Sequence, residues 1–136
     1  VVDALDGAPG VRSKRWTGST ASGAALDAEN NAALLRALAH VGSDAEARAA
    51  RYVCVAVLQR DAATWSAEGR VEGWIAEAAR GSGGFGYDPY FVSAELGCTF
   101  AEASREEKAR VSHRGRALRA VLEVAQEGRR KTDGGH

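Results

Sequence analysis

The 136-residue sequence predicts an α/β fold, a mixed sheet with helices packed on it. Three observations carry this. The run "YVCVAVLQ" (52–59) is apolar and β-branched, the composition of a buried central strand. From Trp65 to Ala76, mostly small or apolar residues alternate with more polar ones, the period of a half-buried strand. From Ser104 onward a capping box precedes apolar residues at helical spacing.

Taken in order, "VVDALDGAPGVRSKRWTGSTASG" reads as the tail of a strand and a long loop. Within it "APG" is a turn, with Pro9 presetting its own φ and Gly10 able to take a positive one. Asp27 is expected to N-cap a helix whose Leu34, Leu35, Leu38 and Val41 share a face, with Gly42 ending it. "DAEARAAR" predicts a short helical stretch before the 52–59 strand. "RDAAT" is a turn, so the two strands should pair as an antiparallel hairpin. Gly69 and Gly73 mark bulges or close backbone approach. "YFVS" is a short strand. Ser104 and Glu107 form the capping box, and the last helix places Ala117, Leu118, Val121, Leu122 and Ala125 on a core-facing stripe.

Hydrophobic residues make up 45% of the chain, which suits a globular protein with one core. The expectation is a single domain over 1–126 and a flexible polar tail over 127–136, where Arg129, Arg130 and Lys131 precede "TDGGH". Basic and acidic residues balance at 18 each, which argues against nucleic acid as a partner. No segment has the length of a membrane helix. Cys54 and Cys98 lack a C-x-x-C partner and read as reduced thiols of a cytoplasmic protein, so no metal or redox site is assigned to them. The chain contains no methionine and starts at Val1, so it reads as processed or as part of a longer parent.

The most punctuated stretch is "GSGGFGYDP" (81–89). Its first six residues fit G-x-G-x-x-G. A dinucleotide loop, however, needs a helix opening at its last glycines, and Pro89 would fall in that helix's second turn. A P-loop needs G-K-S/T, and no lysine is present. A kinase glycine loop needs a valine where Asp88 stands. What remains is a backbone that passes close to a flat object, with Phe85 offering an aromatic face and Asp88 offering acceptors, the elements of a nucleobase site. Taken alone, the loop is better read as a tight turn between strands with Phe85 packed inward.

About twenty residues on, "EKARVSHRG" carries Lys108, Ser112, His113 and Arg114, near enough in sequence to face the same cleft. Arginine only donates, in a rigid fork. A 6-oxo purine presents O6 and N7 as acceptors, whereas adenine has a donor amino group in place of O6. A buried Arg114 would therefore accept hypoxanthine, xanthine or guanine and reject adenine. His113 can donate or accept. Lys108 suits an oxygen of the base or a phosphate.

"GGFGYDPYF" followed by "FAEASREEKARVSHRGRAL" closely resembles the inosine/xanthosine triphosphate pyrophosphatases. "ALDGAPGVRSKRWTG", "DAENNAALLRAL" and "ARYVCVAVLQRD" resemble further segments of that family in the same order, and the likeness runs to about Gln126. It implies an elongated, two-lobed α/β homodimer with the nucleotide in a cleft between the lobes. It implies Mg²⁺-dependent hydrolysis of ITP, dITP or XTP to the monophosphate and pyrophosphate. By motif it assigns Phe85, Gly86, Tyr87 and Asp88 around the base, Lys108 as a nucleotide contact, and His113 and Arg114 at the base edge.

The family's S/T-x-N-x-x-K phosphate loop, its acidic metal ligands and its D-D-S-G-L stretch with the catalytic Asp have no counterpart here. The first lobe is therefore expected to be incomplete, with no identifiable catalytic residue or metal ligand. Arg12, Lys14 and Arg15 are candidate phosphate contacts but read first as a solvated loop. Asp3 and Asp6 fall after the catalytic position. Two functions follow: a hydrolase, through its longer parent, or a non-catalytic base-binding or dimerising remnant. A purely structural domain is a third.

Overall fold

The computed structural model describes residues 1–133, with side chains through Arg129. The ordered elements are α1 (Gly23–Ala37), β1 (Ala49–Arg60), β2 (Ala63–Ile75), β3 (Phe91–Ser93), α2 (Arg105–Val111) and α3 (His113–Asp133). Two short 3-10 turns, Asp3–Leu5 and Gly10–Arg15, lie in the opening loop. The strands form one sheet in the order β1-β2-β3. A two-residue turn at Asp61 and Ala62 makes β1 and β2 a hairpin, and β3 pairs antiparallel to β2 in the register Gly73↔Ser93 and Ile75↔Phe91. No helix among the described residues is long and apolar enough to cross a membrane.

The chain divides into two compact units where the sequence suggested one domain. The first is Val1–Arg51 with Glu72–Lys108, and the second is Tyr52–Val71 with the described residues from Ala109 onward. The first unit buries Leu26, Leu34, Leu38, Ile75, Phe91, Val92 and Phe100. Phe91 and Phe100 meet edge to face at 5.1 Å. Val2 bridges Ala50, the strand tail expected at the start. The second unit buries Val71, Val111, Ala117, Val121 and Ala125.

Several expectations are corrected. Residues 45–48 form a turn, not a helix. Tertiary bonding overrides the local helix preference there, because the Arg48 carbonyl accepts from Ile75 N–H and its buried guanidinium donates to the Ile75 and Ala76 carbonyls. The 52–59 strand lies at the end of the sheet order rather than its centre, and Val55 and Val57 are exposed. Alternation explains this: Tyr52 stacks on His113 of α3, so Val53, Val55 and Val57 point to the opposite face. On α3 the buried stripe is Ala117, Val121 and Ala125, a strict spacing of four, while Leu118 and Leu122 sit one step round and are exposed. The helix also runs through 127–133, part of the expected tail, and 134–136 lie outside the described residues.

The glycines of β2 mark close approach. A Cβ on Gly69 would collide with the His113 carbonyl and the Ala117 amide nitrogen, both backbone atoms of α3. Gly69→Ala is therefore expected to destabilise the protein by about 1–3 kcal/mol in urea unfolding. Gly42→Ala, with open space around it, should change stability by about 0.5 kcal/mol or less. Equal midpoints for the two variants would contradict this packing.

Candidate functional site

No helix opens at the glycine loop; residues 81–90 are turns and bends, as the proline argument required. The loop is built around one carboxylate. Asp88 is 4% exposed, and its Oδ2 accepts the Phe85 N–H at 3.1 Å and the Lys108 ammonium at 2.5 Å. Gly84 passes directly over that carboxylate with φ +71, where any side chain would strike it. Asp88 thus organises the loop from within.

Phe85 is turned outward and 67% exposed, so it is not the inward-packed residue of a bare turn. The Lys108 ammonium lies 5.0 Å from its ring centroid and 5.6 Å from that of Phe100. Cation–π attraction steadies the ring without covering it. Lys108 reaches this place because α2 begins where the sequence said. Ser104 N–H donates to Glu107 Oε1 and Glu107 N–H donates to Ser104 Oγ. Lys108 is next in line and half-buried.

The other side of the loop is held by residues that sequence reasoning misplaced. Asp27 does not cap α1; that position belongs to Ser22. Asp27 lies inside the helix and its Oδ2 accepts the Gly86 N–H at 2.9 Å. One turn on, Asn31 Nδ2 donates to the Gly86 carbonyl at 3.0 Å. Asn30 Nδ2 donates to the Lys14 carbonyl, and the Tyr87 hydroxyl donates to the Ser13 carbonyl at 2.6 Å. Burial, and then the nearby Asp27 charge, push the Tyr87 pKa up to about 12. The available signal was Asn30–Asn31 on the same stripe as Leu26 and Leu34, because buried amides imply partners.

His113 and Arg114 belong to the second unit. Ser112 Oγ accepts the Gly115 N–H and so caps α3, a start the sequence reading had not marked. His113 stacks on Tyr52 with ring centroids 5.1 Å apart. Arg114 is exposed, not buried as the base-selection expectation supposed, because it projects from the first turn of α3, and it forms no ion pair or hydrogen bond among the described residues. Among the described residues no group of three or more His, Cys, Asp or Glu side chains could hold a metal ion. The Asp3 carboxylate is taken in a fork by Arg51, which holds its pKa below the ordinary value.

Comparison with known proteins gives a consistent answer. A model of the Ham1 family matches residues 1–124. The chain is similar to a dITP/XTP pyrophosphatase of Thermus thermophilus, 52% identical over 128 residues, covering 93% of this chain and 58% of that protein. It is 52% identical over 129 residues to a dITP/XTP pyrophosphatase of Thioalkalivibrio sulfidiphilus, covering 92% and 62%. Among solved structures, a HAM1 protein from Coxiella burnetii superposes with a TM-score of 0.78 at 40% identity, covering 93% of this chain and 63% of that one. The chain thus spans 58% and 62% of the length of these two curated relatives.

The Tyr87 environment predicts a pH dependence. Its folded-state pKa lies above the ordinary 10.0, so the stability it contributes is fully present below about pH 10 and is lost as pH rises toward 12. Urea unfolding at about pH 9 and about pH 11 should show a loss that Tyr87→Phe reduces. An unchanged loss in that variant would contradict the assignment.

Proposed function

The chain belongs to the Ham1 family, and on that premise we propose that it acts on deaminated purine nucleoside triphosphates (ITP, dITP and XTP) in cleansing the nucleotide pool. In the proposed reaction water attacks the α-phosphorus. The bond from that phosphorus to the bridging oxygen breaks, pyrophosphate leaves, and the monophosphate keeps the oxygen from water. A cytoplasmic location goes with such a substrate.

The observation that carries the reading is Phe85, an aromatic side chain left 67% exposed on a loop whose backbone is held by Asp88 and Asp27. An exposed aromatic ring on a held backbone is a stacking platform for a base. Arg114 supports the choice of base through its chemistry: an exposed guanidinium with no ion pair among the described residues, donating where a 6-oxo purine accepts. His113 and Lys108 keep their proposed roles as base-edge and nucleotide contacts.

The family resemblance also implies Mg²⁺, which would stabilise charge on the phosphates. The described residues do not fit it, since they offer no cluster of ligands and Asp3 is held by Arg51. No step is routed through the ion. The same observation favours a second reading, a base-binding module that performs no chemistry alone. Homodimerisation is proposed as well. Val55, Val57, Leu118 and Leu122 in the second unit supply exposed apolar surface for it, and sedimentation showing monomer at every concentration would remove it.

Pyrophosphate release from ITP, XTP and ATP with Mg²⁺ tests the function on this chain. Release from ITP and XTP but not ATP is the result expected of the hydrolase. ITP binding without release assigns the chain to the second reading. In either case Arg114→Ala should reduce the preference for ITP over ATP by about tenfold. Neither binding nor release would overturn both readings.

A further inference from the structure

We propose that Asp27 and Asn31 of α1 are positioning residues for the base, acting through the backbone of Gly86. The inference rests on the nucleotide reading above, and every group it uses lies in the first unit. Asp27 Oδ2 takes the N–H of Gly86 and Asn31 Nδ2 donates to its C=O, at 2.9 and 3.0 Å. Residues four apart share a helix face, so one rigid element grips both polar groups of one loop residue. Gly86 is thereby fixed at φ +61, and Phe85, its neighbour, is fixed in its outward pose.

A connecting turn does not need this arrangement. Exposed loop backbone satisfies its polar groups with water, and an α1 that served only the core would bury apolar side chains at these positions, as it does with Leu26 and Leu34. Instead it buries Asn30 and Asn31, 3% and 8% exposed. The Oδ1 atoms of both are buried with no hydrogen-bond partner among the described residues. An unmade bond of that kind is destabilising. It is retained here by amides whose nitrogens hold two loops: Asn31 holds Gly86, and Asn30 holds Lys14 in the segment that also carries Arg12. Tyr87 ties the two loops together through Ser13. The helix thus fixes the backbone presenting the aromatic platform relative to the backbone presenting the basic side chains.

The test compares the unmodified chain with Asp27→Ala, Asn31→Ala and the conservative Asp27→Asn, which keeps an acceptor oxygen. ITP affinity is measured by calorimetry and amide exchange by NMR. Asp27→Ala should weaken ITP binding about tenfold, the loss of one hydrogen bond to a charged group. It should speed exchange at Gly86 while leaving the core amide of Val92 unchanged, and Asp27→Asn should recover most of the affinity. Unchanged ITP affinity in Asp27→Ala and Asn31→Ala would overturn the positioning role and leave the nucleotide reading standing. Faster exchange at Val92 as well as Gly86, without recovery in Asp27→Asn, would make Asp27 a general stability residue and also overturn it. Failure of the unmodified chain to bind ITP would overturn the nucleotide reading, and base positioning with it.

Discussion

The first unit depends on one buried carboxylate. Asp88 is 4% exposed, and an ion so far from water is tolerated only when its lone pairs are met. Two donors meet Oδ2: a backbone N–H three residues back and an ammonium from the next helix. Removing the partner of a buried pair costs about 3–5 kcal/mol, somewhat less here because Lys108 keeps 29% side-chain exposure. The need to satisfy Asp88 fixes much around it. Gly84 must lack a side chain, α2 must begin where its capping box starts it, and Phe85 must turn outward because its amide turns inward.

The same loop is gripped from the opposite side by α1. Asp27, Asn30 and Asn31 stand where an ordinary amphipathic helix would place apolar residues, and each holds backbone of another segment. The second unit is organised by its own constraint. Gly69 lets α3 lie against β2 at backbone distance, which leaves a narrow stripe of Ala117, Val121 and Ala125 in the core. Ser112 restarts the helix, so that His113 meets Tyr52 and Arg114 projects from its first turn.

Much of this was legible in the sequence where the signal was local. The capping box, the alternation in β2, the hairpin turn and the proline that forbids a helix after the glycines all depend on neighbours in the chain. What was misread depends on distant partners. Residues 45–48 carry helix-forming residues, but Arg48 is claimed by carbonyls at the far end of β2. Asp27 has the chemistry of a cap, and only the position of Gly86 shows that it serves another segment. Leu118 and Leu122 fit a helical stripe, but periodicity does not say how wide the covering surface is. In the first unit the glycine loop was singled out from residue chemistry, while its supporting residues Asp27, Asn31 and Ser13 lay in segments read for other purposes.

The measurement that bears most directly on the central claim is a crystal structure of this chain soaked with ITP. The account predicts the hypoxanthine ring stacked on Phe85, with the Asp88–Lys108 pair intact beneath the loop. A base bound away from Phe85, or a loop in which Asp88 has left Lys108 to hold the nucleotide itself, would contradict it.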